Sequence, residues 1–426
     1  MQTKRRRLTK SEWVILLVPF CLLALWWLNG PGRGTLRRYM PATLHLTTNT
    51  PGQRIERIEP LTFSPDSRYL AVQQIQRDSR NYIVSVWDCQ TEQELWRKKF
   101  KAMTFPQFSP DGKQIGMRNP DISLADPETG EPRSVVDIYD TLTGQLQHQL
   151  PLGKGGYDFS FLPDGKHFLV NGVPFRLWNL QIGQIVKVIS RRNVPYLSGA
   201  RGDTKGQFII IVEGMEVPSS SRAYMVWAST AIKVYDLSAG KTIASLAVPK
   251  DSRAYFSARA DTLRIQEGNG YKVKVFSWNW RTGHRTPNQT YFDKWFQRLS
   301  LDEKTFVAVE PQRSFDGKQE KIVGYHIVCE EAQAGKVLWR VPVTSYFPPR
   351  LHFFANKKHI INSEDDKSPS KTTIGASSIV IRNAQTGVMV RAFKANGFYA
   401  LSPDGRRLAV ANGETVQIYD VSDLAS

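Results

Sequence analysis

Four stretches of the chain read almost alike: TFSPDSRYLAV at 62–72, QFSPDGKQIGM at 107–117, SFLPDGKHFLV at 160–170 and ALSPDGRRLAV at 400–410. Each joins an apolar segment to an alternating one through a turn. Its proline fixes φ, its aspartate bonds the backbone just downstream, and its glycine supplies a positive φ. That is the chemistry of a tight hairpin, and its recurrence makes the chain a repeat protein.

A second signature follows the first within the units. SVWDCQTEQELW, DIYDTLTGQLQHQL, RLWNLQIGQIVKVI, KVYDLSAGKTIASL and VIRNAQTGVMVRAF each run from a strand into Asp or Asn, a turn and an outgoing strand. Period-two alternation buries one side of each strand, so a unit is an antiparallel sheet of four short strands. Aligned on the turn acid, units fall at Asp66, Asp111, Asp164, Asp203, Asp261, Asp302, Asn356 and Asp404, 39 to 58 residues apart. Spacings near 40 to 50 residues are those of propeller blades, and the count is eight.

The last unit is short of one strand. After ALSPDGRRLAV there remains enough chain for a third strand at Thr415 to Tyr419 and a turn, but not for a fourth. ATLHLTT, at 42–48, is an alternating strand that belongs to no complete unit. The expected fold is therefore all-β, an eight-bladed β-propeller closed by an N-terminal strand, which leaves no open sheet edge.

These motifs resemble the WD-repeat family and its bacterial relatives with Ser-Pro-Asp-Gly turns, over about residues 42–426, with SVWDCQT the nearest match to the Trp-Asp ending. The chain lacks the family's Gly-His dipeptide, so the family's hydrogen-bonded tetrad is not carried over. The resemblance implies a propeller, and propellers serve as scaffolds, binding modules and enzymes alike.

Ahead of the repeats lies an apolar run of residues 13–28, opening on Trp13 and closing on Leu28. It carries no charge, and Trp26 and Trp27 at its far end match an aromatic belt. Lys4, Arg5, Arg6, Arg7 and Lys10 precede it, against Arg33, Arg37 and Arg38 after it. The bias predicts a cytoplasmic N-terminus, and Trp26, Trp27 and Leu28 stand where a small-residue cleavage site would lie. The expected organisation is a basic tail at 1–11, one transmembrane signal anchor at 12–30, a linker at 31–41 and the propeller at 42–426. The protein would then sit in the inner (cytoplasmic) membrane, with the propeller extracytoplasmic and the lipid bilayer its partner through Trp13 to Leu28.

No catalytic, metal or cofactor motif is legible in the repeats. Asp88, Asp140, Asp236 and Asp420 recur at one repeat position, which makes them turn caps. Three cysteines are too few for a disulfide framework. Cys21 lies in the apolar run, while Cys89 and Cys329 fall in strands of distant units and read as unpaired. His352 and His359 could approach one another, but they flank one hairpin turn with Lys357 and Lys358 between them and do not point to a metal site. The RGD at 201–203 falls on a repeat turn. The innermost strands are mostly apolar, and Asp158, Arg298 and His352 do not define an active site. No enzyme, cofactor or metal is expected.

Function on such a ring lies in its variable connections. Second-to-third-strand loops are long in the second, fourth, sixth and seventh units, on the face opposite the two recurring turns. The loop of the fourth unit and the crossings between units bring Arg191, Arg192, Tyr196, Arg222, Tyr224, Trp227, Tyr291, Trp295, Tyr346 and Arg350 toward that face. Arginine among Tyr and Trp is the composition of interaction hot spots. The expected function is a protein-binding or assembly platform with an unidentified protein partner. The formal charge of +18 offers an anionic envelope polymer as an alternative partner, and a propeller-type enzyme (lactonase, lyase or quinoprotein-like) is the other alternative. Beyond the N-terminus no concentrated basic tract points to nucleic acid.

Overall fold

The computed structural model describes residues 42–45, 55–77, 81–127, 130–153, 159–170, 172, 174–190, 207–218, 225–249, 252–256, 261–267, 272–286, 289–292, 295–299, 305–315, 320–331, 336–343, 349, 351–354, 356, 358–364 and 376–425. They form antiparallel sheets whose strands follow chain order from the innermost outward. The first sheet takes Ile55–Phe63, Tyr69–Gln76, Tyr82–Asp88 and Gln93–Phe100, and the second Gln107–Phe108, Gln114–Ala125, Pro132–Asp140 and Leu146–Pro151. The third holds Phe159–Phe161, His167–Val170, Phe175–Asn179 and Gln184–Ser190; the fourth, among the described residues, Phe208–Pro218, Met225–Asp236 and Lys241–Ala247. The fifth has Arg253–Phe256, Thr262–Glu267, Lys272–Asn279 and Gln289–Phe292, and the sixth Trp295–Leu299, Thr305–Phe315, Glu320–Glu331 and Val337–Val343.

The remaining strands form one sheet of eight, in two halves whose strands meet, among the described residues, at the parallel pair Asn396–Asn412. The penultimate half is Leu351–Phe353, His359–Glu364, Ala376–Asn383 and Met389–Gly397. The closing half is Tyr399–Leu401, Arg407–Asn412, Thr415–Asp420 and Ala42–His45. Ala42 pairs with Ile418 and His45 with Thr415, so the N-terminal strand supplies the fourth strand as expected. Beyond Asp420 the chain adds a 3-10 turn, Ser422–Leu424, which the sequence did not announce. The Leu424 carbonyl accepts from Asn356 Nδ2 at 2.6 Å, tying the two halves together.

One buried residue in the second strand of each unit marks a common register. Leu70, Ile115, Phe168, Ile209, Leu263, Phe306, Ile360 and Leu408 are all 2% exposed or less. The residue paired with each is aromatic in six cases, but Glu330 and Arg382 in the sixth sheet and the penultimate half. Buried clusters then join first sheet to second, second to third, third to fourth and fourth to fifth. Others join sixth sheet to penultimate half, penultimate half to closing half, and closing half back to the first sheet. In the last of these, Leu44 and Val416 pack with Leu61, Leu70 and Trp87. Burying a leucine in this way contributes about 2 kcal/mol.

The recurring turns are made as their chemistry requires. In the first, Asp66 Oδ1 accepts from Arg68 N–H at 3.1 Å and Ser64 Oγ from Tyr69 N–H at 2.8 Å. The same pair of bonds recurs at Asp111 with Ser109 and at Asp404 with Ser402. Gly112, Gly165 and Gly405 take φ of 71°, 65° and 71°, and Ser67 stands at the same position with 63°. At the second turn, Asp88 accepts from Gln90 and Thr91 N–H, Asp140 from Leu142 and Thr143, Asp236 from Ala239, and Asp420 from Ser422. These carboxylates are turn caps.

Several expectations need correction. Asp261 is not the turn acid of its unit. Leu263 pairs with Phe256, and Trp280 N–H donates to Asp261 O, as Leu70 pairs with Phe63 and Cys89 N–H donates to Arg68 O. Asp261 thus occupies the place of Arg68, two residues past the acid, and its carboxylate accepts from Asn279 Nδ2 at 3.0 Å. Cys89 lies one residue beyond its strand; it and Cys329 are free and buried. The rings of His352 and His359 stand edge-on to Tyr399 and Phe354, respectively. Among the described residues no helix is long and apolar enough to cross a membrane. Residues 1–41, with the expected anchor and linker, lie outside the described residues, as do Asp158, Asp203, Asp302 and the side chain of Arg298.

Candidate functional site

Antiparallel order gives every sheet a turn end, carrying both recurring turns, and a loop end, carrying the second-to-third connection and the crossing to the next sheet. Three of the expected long loops are paired strands at the loop end. In the second sheet pairing continues to Ala125 with Pro132, in the fourth to Pro218 with Met225, and in the sixth to Phe315 with Glu320. The middle strands of the third sheet, by contrast, are 4 and 5 residues long. At about 3.3 Å per residue, the 11- and 12-residue strands of the fourth and sixth sheets outrun their neighbours as hairpins. Each hairpin breaks register once, at Asn119/Ser123, Glu213/Gly214 and Gln312/Arg313. A bulge bends and twists a strand pair, which re-aims each hairpin.

The second-sheet hairpin is fastened over the third sheet. Arg176 Nη2 donates to Asp126 Oδ1 and Oδ2 at 2.7 and 2.8 Å, with both side chains fully buried. Asp126 also begins the hairpin tip, its N–H donating to Glu131 O and its carbonyl accepting from Gly130, whose φ is 71°. Below the tip, Asp137 accepts from Asn119 Nδ2 at 2.6 Å, Tyr139 Oη at 2.8 Å and Gln149 Nε2 at 2.9 Å. Burial, then the neighbouring Asp137 charge, raises the Tyr139 hydroxyl pKa and keeps it a donor. At the sixth-sheet bulge Gln312 Nε2 lies 2.7 Å from His326 Nε2, and a Cβ at Gly324 would stand 2.9 Å from Gln312 Oε1.

The crossing from first to second sheet is held as firmly. Gln73 Oε1 accepts from Thr104 N–H at 3.0 Å and Thr104 Oγ1 at 2.7 Å, while its Nε2 donates to Glu59 O. The next residue, Phe105, is half exposed and takes φ of 51°, a region a bulky residue seldom occupies. Ile122 on the second-sheet hairpin and Ile322 and Val323 on the sixth are likewise exposed. Sequence reasoning missed these four, because singly they are ordinary aliphatic or aromatic positions. The signal was available in the period-two pattern carried past the expected strand ends.

Of the ten residues expected on this face, Trp227, Tyr291 and Trp295 fall on strands. Trp227 pairs with Glu216 in the fourth-sheet hairpin, Tyr291 with Val273, and Trp295 with Val309, each toward the loop end of its strand. Their side chains lie outside the described residues, as do Arg191, Arg192, Tyr196, Arg222, Tyr224, Tyr346 and Arg350 altogether. The described part of the face offers rigidly mounted apolar and aromatic contacts, and its Asp126 carboxylate is engaged in holding a hairpin.

No protein-family model matches the chain, and no curated protein matches it significantly. Among solved structures the chain is similar to the Dos1 propeller, with a TM-score of 0.56 at 11% identity over 90% of this chain and 96% of that one. It is similar to the dihydro-heme d1 dehydrogenase NirN in complex with DHE, with a TM-score of 0.53 at 15% identity over 91% and 76%. A eukaryotic initiation factor gives a TM-score of 0.51 at 11% identity over 82% and 91%. At such identities the likeness concerns the fold alone, and that fold is a β-propeller.

Proposed function

We propose that the protein is a single-pass, signal-anchored propeller of eight blades that acts as a recognition platform outside a bacterial-type inner membrane. The blade count takes the eight-stranded sheet as two blades, which the eight equivalent buried residues from Leu70 to Leu408 support. Residues 13–28 would hold the ring at the membrane, and the loop end would meet the protein partner.

The observation that carries this reading is the trio of bulged hairpins on the second, fourth and sixth sheets, with Ile122 and Val323 exposed on two of them and Phe105 displayed beside the first. Apolar groups on rigid supports bind at low entropic cost. Arg191, Arg192, Tyr196, Arg222, Tyr224, Trp227, Tyr291, Trp295, Tyr346 and Arg350 belong to the same face by sequence, and would add the aromatic and arginine anchors of an interface.

Site-specific photo-crosslinking in native membranes tests the reading. Crosslinkers at Ile122 and Val323 should capture one and the same protein, a crosslinker at Ile182 on the turn end should not, and replacing residues 216–227 by a two-residue turn should reduce the yield. Equal capture from Ile182, or none from any position, would sink it.

A further inference from the structure

The turn end carries an apolar rim that no packing explains. Leu142, Ile182, Ile243, Leu338, Val388 and Met389 are all exposed, Val388 by 63%. They lie in the third-to-fourth turn, or within the first three residues of the outer strand, in the second, third, fourth and sixth sheets and the penultimate half. At the loop ends of the outer strands, apolar side chains are covered: Phe100, Leu150, Leu246 and Val343 are 5% exposed or less. Single exposed aliphatics are ordinary, but exposure confined to one end of five outer strands makes a rim.

Two further observations say what covers it. The rim is accompanied by exposed cations beside the turn acids: the residue two past the acid or its Asn counterpart is Lys113, Lys166, Lys358 or Arg406, with Arg68 paired to Asp88 and Asp261 standing at that place in the fifth sheet, while the acids accept from the turn backbone. The chain that precedes Ala42 also reaches the ring from this side. Ala42 lies opposite Ile418, near the turn end of Thr415–Asp420, and His45 lies opposite Thr415 at the loop end. The apolar run at 13–28 and Arg33, Arg37 and Arg38 therefore join the fold at its turn end, next to the half that carries Val388 and Met389.

We infer that the turn end lies flat on an anionic lipid bilayer, its aliphatic rim entering the headgroup region and its cations facing lipid phosphates, with the loop end turned away. Shallow aliphatic insertion combined with basic attraction is how interfacial surfaces hold to anionic membranes. The inference deepens the anchored-platform reading and rests on it for the side from which the membrane approaches.

The test places an environment-sensitive fluorophore on the full-length protein reconstituted in phosphatidylcholine–phosphatidylglycerol vesicles, with nitroxide headgroup lipid as quencher. Cys89 and Cys329 take no label, because burial pushes both thiols up to about 12. With Cys21 replaced by Ser, probes at Ile182→Cys and Val388→Cys should be quenched several-fold more than one at Val323→Cys. The difference should shrink in pure phosphatidylcholine, and Met389→Glu with Leu142→Glu should abolish it. A label on native Cys21 reports the anchor separately. Quenching at Cys21 without quenching at Ile182 overturns the docking and leaves the anchor. No quenching at either overturns both. Quenching at the rim alone supports the docking and removes the anchor, and energy transfer between copies without lipid would make the rim a self-interface and overturn the proposal.

Discussion

The two ends of the same strands are built by different means. At the turn end, the hydrogen bonds that recur from unit to unit span two to five residues, as between Asp111 and Lys113 or Ser109 and Gln114, and a few longer ones, such as Asp404 N–H to Ser67 Oγ, join neighbouring turns. At the loop end, the bonds that fix position span tens of residues, as between Arg176 and Asp126 or Gln73 and Thr104. The turn end is thus the same local structure stamped repeatedly, and the loop end is individual. A ring made this way can change what it recognises without changing what closes it.

The largest effect is expected where the most distant parts of the chain meet. Leu44→Asp buries a carboxylate between the closing half and the first sheet, and should cost upward of about 3 kcal/mol. Thermal unfolding followed by circular dichroism checks it, and an unshifted midpoint would show that the closing strand does not hold the ring. Next in size, Asp126→Ala removes the carboxylate paired with the fully buried Arg176 guanidinium and should cost about 3–5 kcal/mol, while Asp126→Leu with Arg176→Met should return most of it. Denaturant titrations of the two variants read the difference.

Local contacts should cost less and add independently. Asp111→Ala removes the carboxylate that accepts from Ser109 and Lys113 and should cost about 1 kcal/mol. Combined with Asp404→Ala, on a remote turn, the sum should hold within about 0.5 kcal/mol. A large excess would mean that the turns communicate and that the contrast with the loop end is false.

Acid should sharpen the same contrast with the smallest effect. Burial alone would raise the pKa values of Asp88, Asp164 and Asp404, but bonds from backbone N–H groups and from Arg68, His167 or Ser402 outweigh it and leave all three lowered. Asp236 is lowered by Ser238 and Ala239. A lowered carboxylate stabilises the fold above its unfolded pKa of about 4 and ceases to as pH falls through the folded value. His148 and His359 are lowered by burial, so the preference for their neutral form is complete above about 6.5 and fades below it. All six stand at turn ends. Protection factors from hydrogen exchange, referred to the intrinsic rate at each pH, should therefore fall at turn-end amides first, slightly below about pH 6.5 and more below about pH 4, and an equal fall at Ile122 and Val323 would refute it.

The turn end was legible for the same reason that it is local. Ser-Pro-Asp-Gly names its own hydrogen bonds, so the hairpins, the caps at Asp88, Asp140, Asp236 and Asp420, and the missing strand at Ala42 could be read from the chain. Asp261 was misplaced because its unit has Ala258 and Arg259 where others carry Pro and Asp, and an acid two residues late drew the alignment. The hairpins of the second, fourth and sixth sheets were taken for loops, since Gly, Pro and charged residues at their tips look like turns while their pairing depends on a partner strand. The arginine pinned beneath Asp126 could not be found at all, because nothing near Arg176 in sequence says that a carboxylate fifty residues earlier will cover it.

The closing half joins two strands that stand far apart along the chain, the earlier of them made long before the later. Ala42–His45 has no partner until Thr415–Asp420 has been produced, and at roughly 5–20 residues per second that wait lasts tens of seconds. Until then both flanks of the nascent ring stay uncovered and open to chaperones or proteases. A chain cut before Thr415 would leave Ala42–His45 without this partner, so the ring shuts only when both strands belong to one intact chain.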